Sequence, residues 1–191
     1  YQKIVVDALD RLILPSIERE VRNILTDKAE EEAIKVFKEN LKNLLMQAPL
    51  KEKSILALDP GYRTGCKVAI IDKNGFYIGN DVFFLVADMH TPKQLETAEK
   101  KIVDYVKKYN IDIIVIGNGT ASRETESFVA DVIRKNNLNT KYLIANEAGA
   151  SIYSASKIAA EEFPDLDVTV RGAISIGRRI QDPLAELVKI D

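Results

Sequence analysis

Ile55-Leu56-Ala57-Leu58-Asp59-Pro60-Gly61 carries an apolar run into a carboxylate and then turns. Pro fixes its own φ and Gly accepts a left-handed one, so the chain reverses sharply after Asp59. Lys67-Val68-Ala69-Ile70-Ile71-Asp72 reads as the next strand, and Asp72-Lys73-Asn74-Gly75 as a hairpin turn into a third. The stretch therefore predicts a meander whose first strand is buried and ends on an acid. A strand-end turn with no chemical role is the competing reading of the same residues.

Working outward, strands are predicted at 54–59, 67–72 and 76–86. Thr91-Pro92-Lys93-Gln94 has a capping-box pattern with Pro in the first turn, and the helix it opens should reach about residue 109. Ile111-Asp112-Ile113-Ile114-Val115-Ile116 is short and β-branched, as a parallel strand buried on both faces should be. A helix around 122–136, a strand at 141–145 and helices around 148–162 and 170–188 follow. The first three strands can pair antiparallel, whereas the later crossovers demand parallel pairing. The expected fold is α/β, an RNase H-like mixed five-stranded sheet with flanking helices, preceded by an all-helical segment.

That segment occupies residues 1–50, with the sheet domain at 51–191. Ile4, Val5, Ala8, Leu9 and Leu12 share one helical face until Pro15 interrupts. Ile17, Val21, Ile24 and Leu25 mark a second helix. Thr26-Asp27 should cap a third, in which Val36, Phe37, Leu41, Leu44 and Leu45 keep the helical period. The segment reads as a structural or partner-facing part of a larger helical region, and the whole chain as a piece of a longer protein.

The chain has 191 residues, 46% hydrophobic and 29% charged, as an ordinary globular protein does. No run approaches the roughly 20 apolar residues that span a bilayer, which argues against a membrane partner. One cysteine, Cys66, excludes an internal disulfide and fits a reducing cytoplasm. His90, the only histidine, supports neither a zinc site nor a histidine-based triad. A net charge of −2 argues against a strongly basic nucleic-acid cradle while leaving room for local patches.

Two further acids sit at element junctions. Glu147 follows the fifth strand in Asn146-Glu147-Ala148-Gly149-Ala150-Ser151, and Asp182 precedes Pro183 in the last helical region. Ligands of an open α/β sheet collect at the C-terminal ends of the strands. Asp59, Glu147 and Asp182 are thus candidate catalytic and metal-binding residues, able together to hold Mg²⁺ or Mn²⁺ for phosphodiester hydrolysis. The rival readings are a helix-dipole acid at Glu147 and an N-cap at Asp182. Gly117-Asn118-Gly119-Thr120-Ala121-Ser122-Arg123 resembles a phosphate nest, although a capped strand-to-helix loop needs many of the same residues. Candidate nucleic-acid contacts are Arg63 and Thr64 in one loop, Asn118, Thr120, Ser122 and Arg123 in the other, and Arg171, Arg178 and Arg179 on the last long helix. An actin-like phosphate loop is the reading from another class, but it needs a second glycine-rich motif and a second lobe, and neither is found.

Longer strings carry a resemblance. LDPGYRTGCK (58–67), IGNGTASRETE (116–126), NEAGASIYSAS (146–156) and FPDLDVTVRGAISIGRRIQDPLAELVKID (163–191) resemble the bacterial transcription accessory proteins called Tex, as does LILPSIEREVRN (12–23). The resemblance implies a YqgF-type domain related to RuvC resolvases, with nucleic acid (RNA or DNA) and the transcription machinery as partners. It also implies further RNA-binding domains in the same protein. Asp59, Glu147 and Asp182 then match the acids of the resolvase-like pattern, but Gly117-Asn118 stand where resolvases carry another acid. A neutral amide is a poorer ligand for a hard ion than a carboxylate. The expectation is therefore a nucleic-acid-associated domain without efficient nuclease activity; an active metal-dependent nuclease and a scaffold for adjacent domains are the alternatives.

Overall fold

A computed structural model describes residues 1–190; residue 191, the expected end of the second domain, lies outside the described residues. The chain divides into two compact units, Tyr1–Met46 and Gln47–Asp191. Among the described residues, no helix is long and apolar enough to cross a membrane.

The first unit is helical. Helix α1 spans Gln2–Ala8, a π turn covers Leu9–Ile13, and α2 runs unbroken over Leu14–Leu45. Pro15 sits in the first turn of α2, where its missing N–H costs nothing. The break expected at Thr26-Asp27 is absent. Interior Thr and Asp cost at most about 0.7 kcal/mol each relative to Ala, less than forfeiting a turn of backbone hydrogen bonds. No residue of this unit is buried. Its apolar side chains form two stripes, Leu14, Ile17, Val21, Ile24 and Leu25, then Val36, Phe37, Leu41 and Leu44. At 100° per residue the second stripe lies nearly opposite the first.

The second unit is built on a five-stranded sheet ordered β3-β2-β1-β4-β5, with β1 at Ile55–Asp59, β2 at Cys66–Ile71, β3 at Tyr77–Phe83, β4 at Ile113–Gly117 and β5 at Lys141–Ala145. β1, β2 and β3 pair antiparallel, while β1, β4 and β5 pair parallel. This is the RNase H-like arrangement, with β1 central as the apolar run requires. Leu56, Leu58, Ile114 and Ile116 point to one face, covered by α3 (Pro92–Lys108) and α4 (Ser122–Lys135) through Ala98, Ile102, Val129 and Val132. Ile55, Ala57, Ile71 and Val115 point to the other, covered by Ala150 of α5 (Ala150–Ala155) and by Ala173, Ile174 and Ile176 of α7 (Val168–Gln181). The predicted helix 148–162 is two, α5 and α6 (Lys157–Glu162), because Ser156 leaves the helical region and caps α6 at Ala159 N. Beyond α7, α8 spans Pro183–Leu187.

The direction of α7 positions the site. Gly172, near its start, lies over Asp59 at the C-terminal end of β1. At Gly177 a Cβ would stand 2.5 Å from Ile71 Cδ1 and 2.9 Å from Ala57 Cβ, so only glycine permits this approach. At its end, Gln181 Nε2 donates to Lys53 O and Asp72 O, both at 2.7 Å, at the opposite edge of the strands. The helix therefore runs antiparallel to β1.

Candidate functional site

Asp59 and Glu147 meet in one crevice of about 330 Å³, walled by Ser151, Ser154, Thr169 and Gly172. Asp59 ends β1 opposite Lys67 of β2. Burial, together with the charge of Glu147, pushes its carboxyl up to about 6, against the opposing pull of Lys67. Cys66 is buried in the sheet, and that burial raises its thiol well above the usual range, so it is a packing residue.

Glu147 is placed by four hydrogen bonds of its loop. Its N–H donates to Asn118 Oδ1 at 3.1 Å. Its carbonyl accepts from Ala150 N at 2.9 Å. On either side, the carbonyls of Asn146 and Ala148 both accept from Arg179 Nη1, the latter at 3.0 Å. The Glu147 side chain then lies over the glycine-rich loop. A Cβ at Gly119 would stand 1.9 Å from Glu147 Oε1, and one at Gly117 2.5 Å from Oε2. The cradle read as a phosphate nest is thus filled by the protein's own carboxylate, which would repel a phosphate. Asn118, exposed at the loop, positions Glu147 through its Oδ1.

Asp182 does not join this pair. It caps α8, its Oδ1 accepting from Ala185 N at 3.1 Å, and lines a separate cleft with Lys51, Lys73 and Gln181. Ten residues of helix separate it from Gly172, about 15 Å at 1.5 Å per residue. The expected three-acid cluster fails because α7 runs away from the crevice. Where a third carboxylate would face Asp59, the helix presents Gly172. Among the described residues, no group of three His, Cys, Asp or Glu side chains is placed to hold a metal ion. Two carboxylates do not fit a two-ion Mg²⁺ or Mn²⁺ centre, whose ions need several acidic ligands between them.

A family model for the Tex protein YqgF-like domain matches residues 53–181. The chain belongs to that family. It is similar to YdcI of Bacillus subtilis (strain 168), 51% identical over 190 residues, which covers 100% of this chain and 26% of that protein. It is also similar to the Transcriptional accessory protein Tex of Neisseria gonorrhoeae, 46% identical over 180 residues, covering 94% of this chain and 23% of the relative. The chain thus spans about a quarter of the length of these relatives. Among solved structures, a Thermus thermophilus RuvC is similar at a TM-score of 0.49 and 9% identity, over 72% of this chain and 98% of that one.

Within the matched stretch of this Tex YqgF-like domain, the cations of α7 are spent inside the fold. Arg171 Nε donates to Phe163 O at 3.0 Å. Arg178 Nε donates to Gly75 O at 2.7 Å, its Nη1 pairs with Glu162, and its guanidinium lies 5.0 Å from the centre of the Phe163 ring. Arg179 is 4% exposed and clamps the Glu147 loop; its Nε and Nη2, like Glu147 Oε2, are buried without a hydrogen-bond partner. Arg179 is buried, while Arg171 and Arg178 are half-buried with their Nε atoms committed to backbone carbonyls, a choice of partner that no local pattern could reveal.

The loops at the ends of β1 and β4 differ. Arg63, Thr64, Thr120 and Arg123 are exposed, and Ser122 is half-buried at the start of α4. Among the described residues neither Arg63 nor Arg123 forms an ion pair. The Arg179 clamp and the crevice walls Ser151, Ser154 and Gly172 escaped sequence reasoning. Only the run of small residues in Asn146-Glu147-Ala148-Gly149-Ala150-Ser151 hinted at close packing there.

Proposed function

We propose that this is a nucleic-acid-associated domain of a transcription accessory protein, one that binds RNA or DNA weakly and does not cleave it. The observation that carries the reading is the crevice itself: Asp59 and Glu147 together, Gly172 where a third acid would stand, and Asp182 at the far end of α7. Binding is assigned to Arg63, Thr64, Thr120, Ser122 and Arg123, at the ends of β1 and β4. Membership of the Tex family supports the association with nucleic acid. The name of the gonococcal relative supports a partner in transcription, and the length of that relative leaves room for further binding domains.

A net charge of −2 and only two arginines at this rim mean few phosphate contacts. Affinity for single strands should lie near the non-specific range, about 10⁻⁴–10⁻⁶ M, and fall by roughly 0.7 log units per contact for each tenfold rise in salt. Fluorescence anisotropy with labelled RNA and DNA across a salt series measures both, and Arg63→Ala with Arg123→Ala should flatten the slope. In parallel, single-stranded and branched substrates are incubated with Mn²⁺. Cleavage that disappears in Asp59→Asn would establish an active nuclease instead, and no binding at low salt would favour the scaffold.

A further inference from the structure

The two loops that carry Arg63 and Arg123 are joined by one side-chain bond. Tyr62 Oη donates to Glu124 Oε1 at 3.0 Å, linking the turn after β1 to the first turn of α4. Both groups are exposed, so the bond adds little to stability. Its effect is orientational: it fixes the ring of Tyr62, 37% exposed, at the rim formed by the two loops. Arg63 follows Tyr62 in the chain and Arg123 precedes Glu124, so each end of the bond has an exposed arginine as its immediate neighbour in the chain. The crevice next to this rim has an acidic floor at Asp59 and Glu147, which keeps phosphates out of it. A strand attracted by the two arginines is therefore held at the rim, where the aromatic face stands.

We propose that Tyr62 is a stacking platform for one unpaired base, with the flanking phosphates met by Arg63 and Arg123, so that the domain takes single-stranded nucleic acid in preference to duplex. An aromatic face beside cations stacks any base, but the base must first be free of its own stack, which a paired duplex does not offer. This rests on the nucleic-acid-binding reading above and names its substrate class and a subsite.

The test uses the full chain and a short oligonucleotide with a central 2-aminopurine, whose fluorescence is quenched by stacking. It is run single-stranded and as a duplex, with Tyr62→Phe and Tyr62→Ala beside the natural sequence. Binding of the single strand should quench the probe. Tyr62→Phe keeps the ring but loses the bond that orients it, so it should keep a quench while weakening the single strand by about threefold, between the natural sequence and Tyr62→Ala. Tyr62→Ala should abolish the quench and weaken the single strand about tenfold, leaving the weaker duplex binding unchanged. Unchanged quench and affinity in Tyr62→Ala would overturn the platform while sparing the binding function. Absence of binding by the natural sequence would overturn both. Thermal melting of each variant confirms that the exposed substitution leaves the fold intact.

Discussion

Replacing Asp59 with Asn should stabilise this protein at neutral pH and leave it unchanged in acid. The folded carboxyl holds its proton up to about 6, whereas the ordinary value is 3.8. Between those values the folded state binds more protons than the unfolded state, so stability falls as pH rises through the window. Below 3.8 the carboxyl is neutral in both states and costs nothing; above about 6 the full cost is present. The gap corresponds to at most about 3 kcal/mol at 1.36 kcal/mol per pH unit. An Asn amide must also leave water, which lowers the expected gain to about 1–2 kcal/mol, or roughly 2–8 °C in Tm for a unit of this size. Thermal denaturation followed by circular dichroism gives the Tm of both proteins at pH 7.5 and pH 3.5. The difference should be present at the first and vanish at the second. An equal difference at both, or a less stable variant at pH 7.5, would refute the burial of a charged Asp59 beside Glu147.

Gly119→Ala should displace the Glu147 side chain, whose Oε1 lies 1.9 Å from the new Cβ, at a stability cost of no more than about 1–2 kcal/mol because a flexible carboxylate yields more readily than backbone. With Glu147 moved away, the Asp59 carboxyl, followed by carbon-13 NMR, should titrate below about 6; an unchanged midpoint would mean that burial alone sets it. Arg179→Met should leave the carbonyls of Asn146 and Ala148 unpaired and cost about 1–3 kcal/mol net of the relief from burying a guanidinium with two idle nitrogens. Hydrogen exchange at the Glu147 amide should accelerate more than at β4 amides, and uniform acceleration would show that Arg179 serves global stability alone.

The sheet was legible in the sequence because its signals are local. Four apolar residues ending on Asp59, the Asp72-Lys73-Asn74-Gly75 turn and the β-branched run at 111–116 specify strand, turn and buried strand from side-chain period and backbone limits, and the crossovers then leave few topologies. The place of Asp59 at the end of the central strand was legible for the same reason. Helix ends in the first unit were less so, since Thr26-Asp27 offers a cap that α2 outweighs by continuing its hydrogen bonds.

What the tertiary structure alone decided was which groups meet. Asp182 was placed by the direction of α7, whose start lies over Asp59 and whose end is tied to Lys53 and Asp72 at the far end of β1 and β2. Glu147 took the Gly117–Gly119 cradle because two separate strand ends are brought side by side. Arg171, Arg178 and Arg179 look alike in sequence, yet Arg171 bonds a carbonyl eight residues back while Arg178 and Arg179 bond carbonyls supplied by distant segments. A buried guanidinium must be hydrogen-bonded wherever partners exist, and partners are a property of the packed molecule. Periodicity is written residue by residue, whereas the pairing of charges waits for the fold.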